Sequence, residues 1–377
     1  MNKQNQNIPQ LRFPEFYREW ETSRLGEVST INPTTNKLPE KFIYIDLESV
    51  DNGELTKEVV VLKNEAPSRA QRVVEKDDIL FQMVRPYQKN NLYFDRDGDY
   101  VASTGYAQIK SKQSARYIYQ YLHLQKFVDE VIERCTGTSY PAINSKDLAK
   151  ICICYPTLPE QQKIASFFTA IDQKITQLKQ KKDLLEHYKK GVMQKIFNQQ
   201  IRFKDDKRQE FPKWEKKKIK DLVEIKYGKD QKQILCENGK YPILGTGGEM
   251  GRTNDFHTDK PSVLIGRKGT IDKPRYMDTP FWTVDTLFYT NVFANTNPKW
   301  LYYKFGTINW YLYNEASGVP SLSSSTIYII PINLPTLPEQ TKIANFLSAI
   351  DDKINHTQMQ IEKAELWKKG LLQKMFV

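Results

Sequence analysis

The sequence is poor in the residues that build metal sites and disulfide scaffolds: 377 residues contain four cysteines and four histidines. Cys135 and Cys236 stand alone, and Cys152 and Cys154 alternate with Ile151 and Ile153 in ICIC. No second Cys/His pair lies at ligand spacing, so a zinc ribbon is excluded and ICIC reads as a short apolar strand with two buried thiols. No run of about 18 apolar residues is present, which excludes a membrane-spanning helix. The opening MNKQNQNIPQ has no apolar core of the secretory kind, and the expected location is cytoplasmic.

Catalytic signatures are missing as well. His123, His187, His257 and His356 are scattered, and two of them fall in long helical stretches, so no acid/base or metal constellation forms around them. Asn297-Pro298-Lys299-Trp300 resembles the Asn-Pro-Pro-aromatic motif of adenine methyltransferases, but its third position is wrong. Asn is a preferred helix N-cap and Pro a preferred next residue, and those roles explain the segment. The run from Gly245 to Gly251, GTGGEMG, fits neither dinucleotide nor P-loop spacing and reads as a recognition loop or a plain turn. Glu224 and Lys226 with Asp221 form the kind of triplet a nuclease uses, one that chance supplies in a chain with 27% charged residues.

What is present is charge and repetition. The formal net charge is +11. Residues 1–155 carry 21 basic and 21 acidic groups, whereas 201–334 carry 21 and 15. A polyanionic partner is expected, with the second half supplying more of any salt-dependent affinity. PTLPEQQKIASFFTAIDQKI from Pro156 recurs as PTLPEQTKIANFLSAIDDKI from Pro335, matching 15 of 20 positions at an offset of 179. The register continues through Glu186/Glu365, Lys189-Lys190-Gly191/Lys368-Lys369-Gly370 and Gln194-Lys195/Gln373-Lys374, and upstream it pairs Pro141 with Pro320. Weaker likeness opens each half, with Phe13-Pro14 and Trp20-Glu21 set against Phe211-Pro212 and Trp214-Glu215. The chain is a tandem duplication in which one segment stayed nearly fixed.

The fixed segment carries helix signals. Thr157-x-x-Glu160 and Thr336-x-x-Glu339 have capping-box spacing, with Pro159 and Pro338 in the first turn. Apolar positions then step by four and three. The first seam runs Ile164, Phe168, Ile171, Ile175 and Leu178; the second contains Ile343, Leu347, Ile350, Ile354 and Ile361. A helix of about 38 residues is about 57 Å long, more than one small domain covers, so the two copies are expected to pair with each other.

The diverged segments read as α/β domains. Residues 42–47, 58–62 and 78–84 are strand-like and 115–134 helix-like; 241–244, 262–266 and 282–289 are strand-like, with a helix from Pro298 to about Asn314. Two loops follow strands at equivalent places. One offers Arg85, Tyr87, Lys89, Asn90 and Asn91; the other offers Arg267, Lys268 and Thr270, with Lys273 and Arg275 just beyond. Cations that pair with phosphate or guanine, and amides that pair with adenine, make these the candidate DNA-contacting residues.

The paired Pro-x-Leu-Pro-Glu-Gln-x-Lys-Ile-Ala segments, each followed by Ala-Ile-Asp-x-Lys-Ile and by Lys-Lys-Gly-x-x-Gln-Lys, resemble those of the specificity subunits of type I restriction-modification systems. The resemblance implies an α/β fold: two target recognition domains, 1–155 and 201–334, joined in a pseudo-twofold repeat by antiparallel coiled-coil spacer helices in 156–200 and 335–377. It implies double-stranded DNA as ligand, an asymmetric bipartite target, and no catalysis in this chain. The implied partners are two modification subunits, which use S-adenosylmethionine, and in the full complex restriction subunits that use ATP and magnesium. Two other classes fit the sequence less well: a fused methyltransferase and recognition enzyme, and a coiled-coil scaffold that does not bind DNA.

Overall fold

The computed structural model describes residues 7–35 and 37–377. The chain divides into two compact units: the chain up to Leu178 with Met359–Val377, and Lys179–Gln358. Each long helix, Leu158–Phe197 and Leu337–Met375, therefore contributes its beginning to one unit and its end to the other.

The first unit is built on two four-stranded sheets. One has the spatial order Ser29–Ile31, Tyr106–Ser111, Ile79–Gln82, Leu92–Tyr93, antiparallel throughout. The other runs Val59–Leu62, Lys41–Ile45, Tyr100–Ser103, Ala70–Val74, with one parallel pair, Lys41–Ile45 beside Tyr100–Ser103. The second unit repeats the plan. Val223–Tyr227, Leu287–Val292, Ser262–Gly266 and Arg275–Met277 form the antiparallel sheet. Gly248–Thr253, Tyr241–Gly245 and Trp282–Thr283 form the other, again with one parallel pair. A two-stranded ribbon leads into each long helix: Glu21–Arg24 with Cys152–Tyr155, and Glu215–Lys218 with Pro331–Leu334.

Four local expectations are corrected. In Cys152–Tyr155 the strand period puts Ile151 and Ile153 in the core, leaving Cys152 exposed and Cys154 half-buried; the isoleucines, not the thiols, face inward. The helix expected over 115–134 breaks into Ala115–Tyr121 and Gln125–Glu133, because the His123 imidazole turns back on the Tyr119 carbonyl at 2.7 Å and the Lys89 ammonium holds the His123 carbonyl at 3.1 Å. The helix from Pro298 stops at Phe305, before Gly306, and a 3₁₀ turn follows at Trp310–Tyr313. The strand expected over 282–289 is interrupted at Val284–Thr286 by a turn in which the Leu287 N–H donates to the Val284 carbonyl.

The long helices are antiparallel, as each unit shows separately. In the first, Ile164, Phe168, Ile171 and Ile175 share a core with Leu371, Met375 and Phe376 from the end of the other helix. In the second, Ile343, Leu347 and Ile350 share a core with Ile196 and Phe197, and Ile354 packs at its margin. Leu178 and Ile361 are buried too. Ion pairs repeat the arrangement: Asp172 meets Lys368 at 2.6 Å and Asp351 meets Lys189 at 2.5 Å, so each copy's aspartate takes the other copy's lysine. Those aspartates also accept from their own domains, Asp172 from Gln120 and Asp351 from the Tyr303 hydroxyl.

At the helix starts the glutamates of the expected capping boxes are held by distant arginines. Glu160 and Glu339 are 1% and 0% exposed, and their carboxylates are gripped by Arg12 at 2.7 and 2.8 Å and by Arg202 at 3.2 and 2.8 Å. A buried bidentate guanidinium is a stronger partner than a backbone N–H, and the Thr336 hydroxyl is left without a hydrogen bond among the described residues. Each arginine also donates to a backbone carbonyl, of Arg18 and of Pro212. Next to each glutamate, Gln161 and Gln340 reach back to the carbonyls of Pro156 and Pro335 and accept from the backbone of Ser114 and Asn297, the N-caps of the domain helices. Of the weak likeness between the two openings, Trp20-Glu21 and Trp214-Glu215 do correspond, since Glu21 and Glu215 pair with Tyr155 and Leu334, whereas the match of Phe13 to Phe211 is corrected. The ring of Phe13 lies edge-on to Phe167 and that of Phe203 to Phe346, so Leu11-Arg12-Phe13 matches Ile201-Arg202-Phe203, while Phe211 keeps only the lysine contact that Phe13 also makes.

Removing one partner of such a clamp strands a buried charge, and removing both does not. Arg12→Met is expected to cost about 3–5 kcal/mol. Arg12→Met with Glu160→Met should cost clearly less, read as urea midpoints of the purified chain. A double variant as unstable as the single one would contradict the clamp.

Candidate nucleic-acid interface

Both candidate loops leave the most deeply buried strand of their sheet, Ile79–Gln82 and Ser262–Gly266, every residue of which is buried. Each then docks on the segment that the repeat predicts. The Arg85 N–H donates to the Pro141 carbonyl at 2.7 Å, and the Gly269 N–H to the Pro320 carbonyl at 2.8 Å. Ile143 and Leu322, again 179 apart, donate to the carbonyls of Met83 and Arg267. The loops are therefore equivalent in backbone while their arginines are not: Arg85 stands where the second unit has Gly269.

In the first loop, Arg85 and Lys89 both adopt left-handed backbone, φ 53° and 57°, flanking the 3₁₀ turn Pro86–Gln88. Tyr87 is exposed. The Lys89 ammonium is occupied by the His123 carbonyl and the Gln125 side chain, and burial holds its pKa below the ordinary lysine value. Asn90 accepts from the Asn52 N–H at 3.1 Å. Asn91 is corrected as a candidate. It is 1% exposed, and its carbonyl oxygen accepts from the Gln82 N–H at 2.9 Å, so it shapes the loop from inside and cannot reach a base edge.

In the second loop the turn is tight: a Cβ on Gly266 would lie 2.0 Å from the Thr270 carbonyl oxygen, and Gly269 has φ +87°. Lys268 is exposed and bridges to Ser321 through backbone, Thr270 is half-buried, and Lys273 is exposed. Arg267 donates to the Asp285 carbonyl at 3.1 Å. Arg275 donates to the carbonyls of Gly245 and Thr246, so it pins the glycine-rich run, which is the turn of a β-hairpin between Tyr241–Gly245 and Gly248–Thr253.

The remaining chemistry-bearing groups have structural partners. Asn297 caps its helix, accepting from the N–H groups of Lys299 and Trp300 at 3.0 Å each. Glu224 is paired with Lys226 and Asn291, and Asp221 accepts from the Lys218 N–H. Burial pushes the His123 imidazole down to about 4, with the Tyr119 carbonyl opposing. His257 is stacked between Trp282 and Tyr289, at centroid distances of 4.0 and 4.8 Å. Among the described residues no group of three or more His, Cys, Asp or Glu is placed to hold a metal ion, and no helix is long and apolar enough to cross a membrane.

Two α/β units of one plan, presenting different loops on a nearly invariant helical frame, define a duplicated recognition module. The family model described as the type I restriction modification DNA specificity domain matches twice, at residues 17–187 and 212–366, and the chain belongs to that family. The type I restriction enzyme MjaVIII specificity subunit of Methanocaldococcus jannaschii is 24% identical, with 96% of this chain and 92% of that protein covered. The fold is shared with the S subunit of a type I restriction-modification system from M. genitalium, with a TM-score of 0.66, 15% identity, and 98% and 99% of the two chains covered. It is shared also with a chain of a type I R-M system solved to explain complex assembly and conformational transition, with a TM-score of 0.59, 21% identity, and 95% and 97% covered. DNA target recognition is thus the role of this chain.

The sequence marks Glu160 and Glu339 as helix-start residues but not their partners Arg12 and Arg202, for which the repeated Leu/Ile-Arg-Phe at 11–13 and 201–203 was the available signal. It also passed over Tyr140, although the match of Pro141 to Pro320 marked the hairpin tip next to it. Asn91→Ala is expected to lower stability by about 1–3 kcal/mol, because the Gln82 N–H loses its acceptor. Thermal melting of the variant checks this, and an unchanged melt would return Asn91 to the contact surface.

Proposed function

We propose that this chain reads a split, asymmetric DNA sequence. Recognition domains 1–155 and 201–334 each take one half-site, and helical segments 156–200 and 335–377 set the interval between them. The chain carries no chemistry of its own. It holds two modification subunits that supply S-adenosylmethionine-dependent methylation and, in the full complex, restriction subunits that use ATP and magnesium.

The observation that carries this reading is the unequal divergence of the two halves. The helices kept 15 of 20 positions over their first stretch, together with the cross-paired Asp172–Lys368 and Asp351–Lys189, while the loops on the domains share almost nothing. A fixed frame with two different readers implies two different half-sites at a fixed spacing. A 40-residue helix is about 60 Å long, and DNA rises about 3.4 Å per base pair. Half-site centres on the order of 10–17 base pairs apart follow, with loop reach and DNA bending setting the value. Among the loop residues, Arg85, Tyr87, Arg267, Lys268 and Lys273 are the proposed DNA contacts, and Lys89, Asn90 and Arg275 hold the loops that present them.

Inserting four residues after Leu178 adds about one helical turn, roughly 6 Å. With the modification subunit co-expressed, the methylated motif should gain one or two unread base pairs and keep both half-sites. An altered half-site would contradict the spacer reading. Methylation by the isolated chain would instead favour a fused enzyme, and no DNA binding in either state would favour a scaffold.

A further inference from the structure

The arginines of the candidate loops differ in what holds them. Arg275 and Arg267 donate to backbone carbonyls. The Arg85 guanidinium makes no hydrogen bond or ion pair among the described residues; it lies over the ring of Tyr140, with Cζ 4.2 Å from the centroid. Tyr140 is 64% exposed, and its hydroxyl is unpartnered among the described residues as well.

The two side chains come from separate segments that the backbone locks together. The Arg85 N–H donates to the Pro141 carbonyl, the Ile143 N–H donates to the Met83 carbonyl, and Val84 bridges to Ala142. Tyr140 itself sits in a loop closed by the reciprocal Thr136 and Ala142 backbone bonds, 2.9 and 3.0 Å. Arg85 also adopts left-handed backbone, uncommon outside glycine and asparagine, which fixes the direction in which its side chain leaves the strand.

The second unit also sets an arginine against a tyrosine, but there Asp285 occupies part of the guanidinium. Arg267 lies over the ring of Tyr227, Cζ to centroid 5.5 Å, and Tyr227 is half exposed with its hydroxyl 3.0 Å from the Ser324 Oγ. Tyr227 precedes its loop in sequence whereas Tyr140 follows, and Arg85 aligns with Gly269 rather than Arg267. The pairs were therefore not copied from one another.

We propose that Tyr140 is a specificity-determining positioning residue: its exposed ring holds the Arg85 guanidinium flat, with the N–H fork free, in the orientation that meets O6 and N7 of a guanine in the first half-site. Tyr227 is not given this role, because Asp285 already holds Nη1 of Arg267. An arginine laid on a ring loses fewer rotamers when its fork forms two parallel hydrogen bonds, and stacking leaves every donor unoccupied. This rests on the reading of the loops as DNA contacts, and the test separates the two.

The measurement is binding and methylation by the full chain, co-expressed with its modification subunit, across all single-base changes in the first half-site. Arg85→Ala and Tyr140→Ala should each reduce discrimination at one and the same base pair, by roughly 10- to 100-fold. Tyr140→Phe should retain it, Tyr140→Leu should lose it, and the Arg85→Ala/Tyr140→Ala double variant should be no worse than Arg85→Ala. The second half-site should not change, and the melting temperature of these surface variants should match the parent. If Arg85→Ala loses a base pair and Tyr140→Ala does not, or if Tyr140→Phe fails as Tyr140→Ala does, the stacking role is wrong and the loop reading stands. If Arg85→Ala changes nothing, the loop reading of the first unit falls and the inference with it.

Discussion

The structure depends on a carboxylate that has no access to water. Glu160 and Glu339 begin the two long helices, and each is buried against an arginine from the segment that opens its own half of the chain. An isolated buried carboxylate would be strongly destabilising, so the arginine must arrive, and its second N–H group must find the carbonyl of Arg18 or Pro212. That requirement ties the first residues of each half to the helix start about 140 positions later. The adjacent Gln161 and Gln340 fix the N-caps of the domain helices to the same turn. The Pro-Glu-Gln portion of the repeat is in this sense a joint between domain and helix.

Further along, the aspartates of the repeat play the corresponding part between helices. Asp172 and Asp351 each bind the lysine of the opposite copy and a side chain of their own domain. A substitution in one copy would leave a charge unpaired in the other, so the two copies are held alike by their pairing with each other. The loops are under no such constraint. Their backbones are anchored equivalently, through Pro141 and Pro320, while the side chains they present are free to differ. The proposal of two unlike readers on one chain rests on this division between what the frame fixes and what it leaves open.

Much of this was legible in the sequence, and for identifiable reasons. A seam repeating over five turns, twice, announces paired helices, and the order of strands in the two halves announces a repeated α/β plan. Legibility failed where tertiary partners override local pattern. ICIC does not say which face is the core; the ribbon register decides it, and chooses isoleucine. The capping-box spacing was real, but a distant arginine outcompetes the local backbone for the glutamate. The helix over 115–134 is broken by an imidazole and a lysine that only the fold brings together. Asn91 looked like a reader of adenine, yet it lies beneath its loop, since nothing in RPYQKNN distinguishes an amide facing DNA from one facing the strand.

The central claim, two different readers at a fixed interval on one frame, is tested most directly by sequencing the methylated adenines in DNA from cells that carry this chain with its modification subunit. The account predicts one motif made of two unlike half-sites separated by unread bases of constant number. A continuous palindrome, or half-sites of identical sequence, would contradict it.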